Sequence, residues 1–168
     1  MISTPYIKNL IQAHYYQGDT NDCGPFSAAI ILRALDRTAL DGWKLSKQMR
    51  AIRWRGILPS LQRIPNWATF PWGVTNFVRE YGLSATWKLR QNNSSLIRAL
   101  RQGDIPITII GEWNPLWAHY IILVARDENL GWGVIDPGHY RAEIIWKQPS
   151  VFDRLWKNYG RTLITVYP

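Results

Sequence analysis

The chain has 168 residues, 46% of them hydrophobic and 19% charged, which suits one packed core and excludes a disordered or low-complexity polymer. Its formal net charge is +8, its one cysteine forbids an internal disulfide, and histidines at 14, 119 and 139 lack zinc-ligand spacing, so neither metal nor cofactor is expected. The longest apolar stretches, Cys23 to Leu32 and Tyr120 to Ala125, fall far short of the roughly 20 residues that span a bilayer. The N-terminus also lacks the basic, apolar and small-residue succession of a secretory signal, so a cytoplasmic location is expected.

Cys23-Gly24-Pro25 opens a run without charge that ends at Arg33, the pattern of a helix buried nearly all round. Asn21 or Asp22 can cap it, and Pro25 suits its first turn, so Cys23 is expected at the helix N-terminus. Leu45 to Trp54 is read as a second helix, followed by turns at Pro59, Pro65 and Pro71. Apolar residues at 74, 77, 78 and 81 share one helix face that stops at Gly82. Ser84 to Leu89 suits a strand, and Asn93 or Ser94 opens another helix that ends at Gly103.

Beyond Gly103 the period changes. Ile105 to Ile110, His119 to Ala125, Trp132 to Ile135, Glu143 to Trp146 and Thr162 to Tyr167 are short, β-branched or aromatic segments, read as antiparallel strands. A last helix, about Val151 to Asn158, interrupts them and ends at Gly160. The expected architecture is α+β in two layers, residues 1–168 forming a single domain in which a buried central helix carrying Cys23 packs on a C-terminal antiparallel sheet.

A lone cysteine is by default a packing residue, since free cysteine is among the most often buried residue types. The neighbours of Cys23 argue otherwise. A helix N-terminus favours the thiolate by setting the positive end of the macrodipole beside the sulfur. His119, at the start of an apolar strand, can project its ring against that helix and act as base, then as acid to the leaving group. Asp136 follows the next strand, and two antiparallel strands joined near Arg126 to Gly131 bring positions 119 and 136 to one end of the sheet. Gln17, six residues before Cys23, can donate its side-chain amide to a developing oxyanion together with the Cys23 backbone N–H.

The run Gln17-Gly18-Asp19-Thr20-Asn21-Asp22-Cys23-Gly24-Pro25, followed by His119 opening a strand and then Asp136-Pro137, resembles the bacterial double-glycine leader (bacteriocin-processing) peptidases, family thirty-nine of the papain-like cysteine peptidases. A similar Gln and Asp-Cys-Gly run occurs in the ubiquitin-like-protein proteases. There the His and Asp come first, whereas here only His14 precedes the motif. The resemblance implies a papain-like peptidase with Cys23 as nucleophile, His119 as base, Asp136 as orienting acid and Gln17 as oxyanion donor, acting on a peptide or protein substrate. His14, in a tyrosine-rich segment beside the motif, could line the cleft but is expected at the surface or in the core, and His139, after a Pro-Gly turn, in solvent.

Two alternatives share the same residues. A Cys-His-Asp site can transfer its acyl group to an amine instead of water. A catalytically silent binding module could instead use the segment from Gly42 to Arg79, which holds no Asp or Glu but carries Lys44, Lys47, Arg50, Arg53, Arg55, Arg63 and Arg79 among tryptophans. That composition suits an acidic partner, with nucleic acid not favoured, or else a solvated face with its tryptophans turned inward. The same segment is expected to form one wall of a cleft and the loop Glu112 to Trp117 the other.

Overall fold

The computed structural model describes residues 1–65 and 67–168, without the Arg55 side chain, so the reading of Arg55 as part of a basic face lies outside the described residues. In chain order, β1 (Ile2–Ser3), α1 (Ile7–Gln12), α2 (Cys23–Ala34) and α3 (Gly42–Gln48) lead into two small hairpins, β2 (Ile52–Arg55) with β3 (Leu58–Leu61) and β4 (Arg63–Ile64) with β5 (Ala68–Thr69). Then come α4 (Pro71–Glu80), β6 (Ser84–Lys88) and α5 (Asn93–Gln102). The remainder is β7 (Ile105–Trp113), β8 (Leu116–Asp127), β9 (Gly131–Ile135), β10 (Ile145–Lys147), α6 (Pro149–Asn158) and β11 (Leu163–Tyr167).

The main sheet runs β10-β9-β8-β7-β11-β6, with β1 added on β8, and its pairings are antiparallel. The fold is α+β, as expected, but the sheet is covered on both faces rather than one. Successive residues of a strand point to opposite faces. On β8, Tyr120 and Ile122 join the cluster that holds Ala28, Ile30, Val74 and Phe77 of α2 and α4. Ile121 and Leu123 join the cluster of Leu96, Leu100, Phe152 and Trp156 of α5 and α6. Burial on both faces removes the polar half of the alternation, which is why Tyr120 to Ala125 reads as continuously apolar.

Every residue of α2 except Arg33 is buried. Its first helical bond runs from the Phe26 N–H to the Asp22 carbonyl at 2.9 Å, so Asp22 occupies the N-cap position. No side chain caps the helix there, contrary to expectation, because the Asp22 carboxylate pairs with Arg63 instead. Arg63 also donates to the Ser46 carbonyl at 2.8 Å, and both members of the pair are largely buried. Arg63 is therefore an internal tie between the β4–β5 hairpin and the start of α2, and does not belong to a solvated face. Breaking a buried pair leaves one charge uncompensated, so Arg63→Ala is expected to destabilise the protein by about 3 kcal/mol. Denaturant titration measures this, and a cost near zero would contradict it.

The helix read over Leu45–Trp54 is corrected: α3 ends at Gln48, and Ile52–Arg55 is a strand. Asp41 caps α3, accepting from the Lys44 N–H at 2.7 Å. Beyond Met49 the alternation of Ile52 and Trp54 with Arg53 and Arg55 has period two, and Gly56 at φ +61° turns the hairpin. Pro59 is accommodated inside β3 because each strand of a two-stranded ribbon keeps a free edge. Three tryptophans of this segment do not turn inward: Trp43, Trp54 and Trp67 are exposed, while Trp72 is half-buried and stacks on Phe70.

Candidate active site

Cys23 is the first residue of α2 and lies in the floor of a cleft of about 280 Å³. His119 enters the same cleft from β8, paired across the sheet with Ile110. It sits four residues into the strand rather than at its start, because β7 and β8 continue as a hairpin to the turn at Asn114-Pro115. Asp136 follows β9 directly, and its Oδ1 meets the His119 Nε2 at 2.5 Å. The Gly138 N–H donates to the same oxygen at 2.8 Å. With Nε2 engaged by Asp136, Nδ1 is the nitrogen left to face the Cys23 thiol, which acts on the ring closely enough to help raise its pKa.

The charges in this chain are coupled. Burial by itself would lower the pKa of His119, but the hydrogen bonds to Asp136 and Cys23, with their negative charge, outweigh it and raise the pKa to about 9. Burial raises the Asp136 carboxyl, while the His119 hydrogen bond and charge pull it down, and the net shift is downward. The imidazole is thus held in its protonated form beside the sulfur across neutral pH. Gly138 fits this arrangement closely, because a Cβ there would come within 3.0 Å of His119 Cε1 and 3.2 Å of Nε2.

Gln17 is buried in the same cleft. Its Nε2 donates to the Thr20 carbonyl at 2.7 Å, which orients the amide and leaves its second N–H free of that bond. The Thr20 hydroxyl returns a bond to the Gln17 carbonyl at 3.0 Å, closing the loop on itself. The Gln17 backbone N–H donates to the Pro137 carbonyl at 2.9 Å, so the loop before α2 is fastened to the turn that carries Asp136.

Other residues here make contacts that the sequence does not specify. His14 lies beside the site, its Nε2 donating to the Asp136 carbonyl at 3.1 Å, a contact with backbone 122 positions away that no sequence pattern signals. His139 is half-buried and pairs with Glu143 at 2.9 Å, where an exposed ring was expected. Gly24 answers to sterics: a Cβ there would lie 2.9 Å from Thr69 Cβ, so glycine lets β5 close over the start of α2. Tyr120 secures the same strand, its buried hydroxyl donating to the Thr69 carbonyl at 2.8 Å. Burial, and then the charge of Cys23, push that hydroxyl well above the usual tyrosine range, so it remains a donor.

One cleft wall is Trp67 to Pro71, within the segment expected to supply it. The other is Ile109, Ala118 and Tyr159, not the loop from Glu112 to Trp117. That stretch is paired β-structure and buttresses the wall from behind: Trp113 stacks on Tyr159 with ring centroids 5.3 Å apart, and the Tyr159 hydroxyl donates to the Trp117 carbonyl at 2.7 Å. Among the described residues no group of His, Cys, Asp and Glu is arranged to hold a metal ion.

Comparison with solved structures finds this arrangement of helices and sheet elsewhere. A structure described as a C39-like peptidase from Bacillus anthracis matches with a TM-score of 0.71 at 12% identity, covering 92% of this chain and 94% of that one. A double glycine motif protease from an AMS/PCAT transporter, solved in complex with the leader peptide, matches with a TM-score of 0.60 at 16% identity, covering 92% of this chain and 90% of that one. The chain has the double-glycine peptidase fold. That likeness is in structure, since no family model matches the sequence and no curated protein does. Within the double-glycine peptidase fold of this chain, α2 and β8 bring Cys23 and His119 to one cleft, and the end of β9 sets Asp136 against His119. Among the described residues no helix is long and apolar enough to cross a membrane.

Proposed function

We propose that residues 1–168 form one cysteine peptidase domain in which Cys23 is the nucleophile, His119 the base and acid, Asp136 the group that orients His119, and Gln17 an oxyanion donor. The observation that carries this reading is that His119, hydrogen-bonded to Asp136, shares a cleft with Cys23 at a helix N-terminus, the two acting on one another's charge. An inert core cysteine has no use for a protonated imidazole held in place by a partly buried carboxylate.

In the proposed reaction the Cys23 sulfur attacks the carbonyl carbon of a peptide bond. The oxygen takes up negative charge and is met by the free Gln17 side-chain N–H and the Cys23 backbone N–H. The His119 imidazolium gives its proton to the departing amine as the C–N bond breaks, leaving a thioester and a neutral imidazole. Water, deprotonated by His119, then attacks the thioester, and the acid product leaves with the thiolate and imidazolium restored. Trp67 to Pro71 and Tyr159 line the cleft beside Cys23 and His119, where the side chains of a peptide would lie.

Alkylation tests the reading directly. Cys23 is expected to react with iodoacetamide near pH 7 at least about tenfold faster than a model thiol, because the reactive species is the thiolate. Reaction at or below the model rate in the folded protein would overturn the assignment.

A further inference from the structure

We propose that the β2–β3 hairpin is a membrane-surface anchor that inserts its apolar tip among the headgroups of an anionic phospholipid bilayer. This goes beyond the peptidase reading and does not rest on it.

Cross-strand partners in an antiparallel ribbon share a face. The pairs Ile52 with Leu61 and Trp54 with Pro59 therefore put four apolar residues on one face of the hairpin. No core covers that face: Trp54 is 66% exposed, and Ile52 and Leu61 are exposed with it. At the turn, Ile57 is 90% and Leu58 69% exposed. A Cβ on Gly56 would find no atom within 4 Å, so the tip stands clear of the rest of the protein. A projecting, convex apolar end is the shape of a wedge rather than a groove, and its flanking Trp54 is the residue type that settles at headgroup depth.

The charges around the hairpin supply the sign of the surface. Arg50 and Arg53 line one hollow at its base, and Arg53 is paired with Glu80 at 3.2 Å. Lys44 is paired with Asp41 at 3.5 Å. Among the described residues Lys47, Arg50 and Arg79 are exposed without an acidic partner. Cations set behind an apolar tip complement a bilayer of anionic lipid, where the tip reaches the acyl boundary and the cations remain at the phosphates. An acidic protein would satisfy the cations but leave Ile57 and Leu58 in water.

Sedimentation with sucrose-loaded vesicles tests the proposal on the full chain. With vesicles of equal phosphatidylglycerol and phosphatidylcholine, the bound fraction is expected to exceed that with phosphatidylcholine alone by about tenfold or more, and to fall as salt is raised. The double variant Ile57→Asp and Leu58→Asp, at positions too exposed to affect folding, is expected to lose that binding while keeping the wild-type unfolding midpoint. Lys47→Gln with Arg50→Gln is expected to weaken it about fivefold for each cation removed. Equal sedimentation of wild type and the tip variant would overturn the proposal, as would no binding to the anionic vesicles. Lipid-free self-association that the tip variant abolishes would also overturn it, assigning the hairpin to a second copy. Binding to poly-glutamate that survives the tip substitutions, with no vesicle binding, would assign the basic surface to an acidic protein.

Discussion

Replacing Cys23 by Ala is expected to lower kcat/KM for peptide hydrolysis by at least about ten-thousand-fold, with the protein still folded. The size of the loss follows from what the sulfur does in the proposed reaction: with no nucleophile there is no thioester, and the remaining donors can only assist water. The substitution costs little structurally, because Ala keeps Cβ at the first position of α2 and removes one atom from the floor of an open cleft. A change in stability under about 1 kcal/mol is therefore expected alongside the loss of activity. Measured together, the two separate chemistry from folding. Hydrolysis that persists near the wild-type rate would remove Cys23 from the mechanism, and an unfolded variant would point to Cys23→Ser as the replacement to assay.

Of the four residues singled out in the sequence, Cys23 and Asp136 stand at element boundaries, where sequence order maps onto space, whereas Gln17 lies in the loop before α2 and His119 inside β8. Cys23 is marked by the charge-free run behind it, and Asp136 by the Pro-Gly turn after it. The motif around Cys23 divides by role once the structure is seen. Gln17 and Cys23 share the cleft, whereas Asp22 holds Arg63 and Gly24 makes room for Thr69, so half of the motif fastens the β4–β5 hairpin to the helix start. What stayed illegible depends on contacts distant in sequence. Tyr159 reaches the cleft from the end of α6, 40 positions after His119, and nothing local marks it. The helix α5 was readable as a helix, capped by Asn92 and stopped by Gly103 at φ +81°, but not as a cover for the second face of the sheet. A helix carries its apolar stripe in its own sequence, while the face it meets is decided by the crossover.

The segment from Gly42 to Arg79 misled for a different reason. The sequence offers a partner-binding face, a solvated face with its tryptophans turned inward, or a cleft wall as readings of the whole stretch, but its residues serve three purposes. Arg63 is buried as a tie, Trp67 borders the cleft, and the β2–β3 hairpin projects into solvent. Composition averages over such a stretch. Only the register of Ile52 with Leu61 and Trp54 with Pro59 reveals that the apolar residues share a face.

Removing the base is the second large effect. His119→Ala is expected to reduce kcat/KM by about a thousandfold or more, and to slow alkylation of Cys23 near pH 7, since both depend on the imidazolium beside the sulfur. The pH profile gives the finer test. In the folded protein His119 titrates at about 9, raised from its usual 6.5 because the Asp136 and Cys23 hydrogen bonds outweigh burial. The imidazolium is the acid that protonates the leaving amine, so activity should hold through neutral pH and fall as pH rises through about 9. Asp136→Asn keeps a hydrogen-bond partner but withdraws its negative charge, and should move that basic limb toward lower pH. Stability carries the same signature through linkage. A group whose pKa is raised on folding stabilises fully below its unfolded value, here 6.5, and its contribution is lost as pH climbs to about 9. The stability difference between wild type and His119→Ala should therefore shrink across that window in denaturant titrations. A difference that does not change from pH 6 to pH 10 would mean that His119 is not held as an imidazolium, and the proposed route to a protonated leaving group would fail with it.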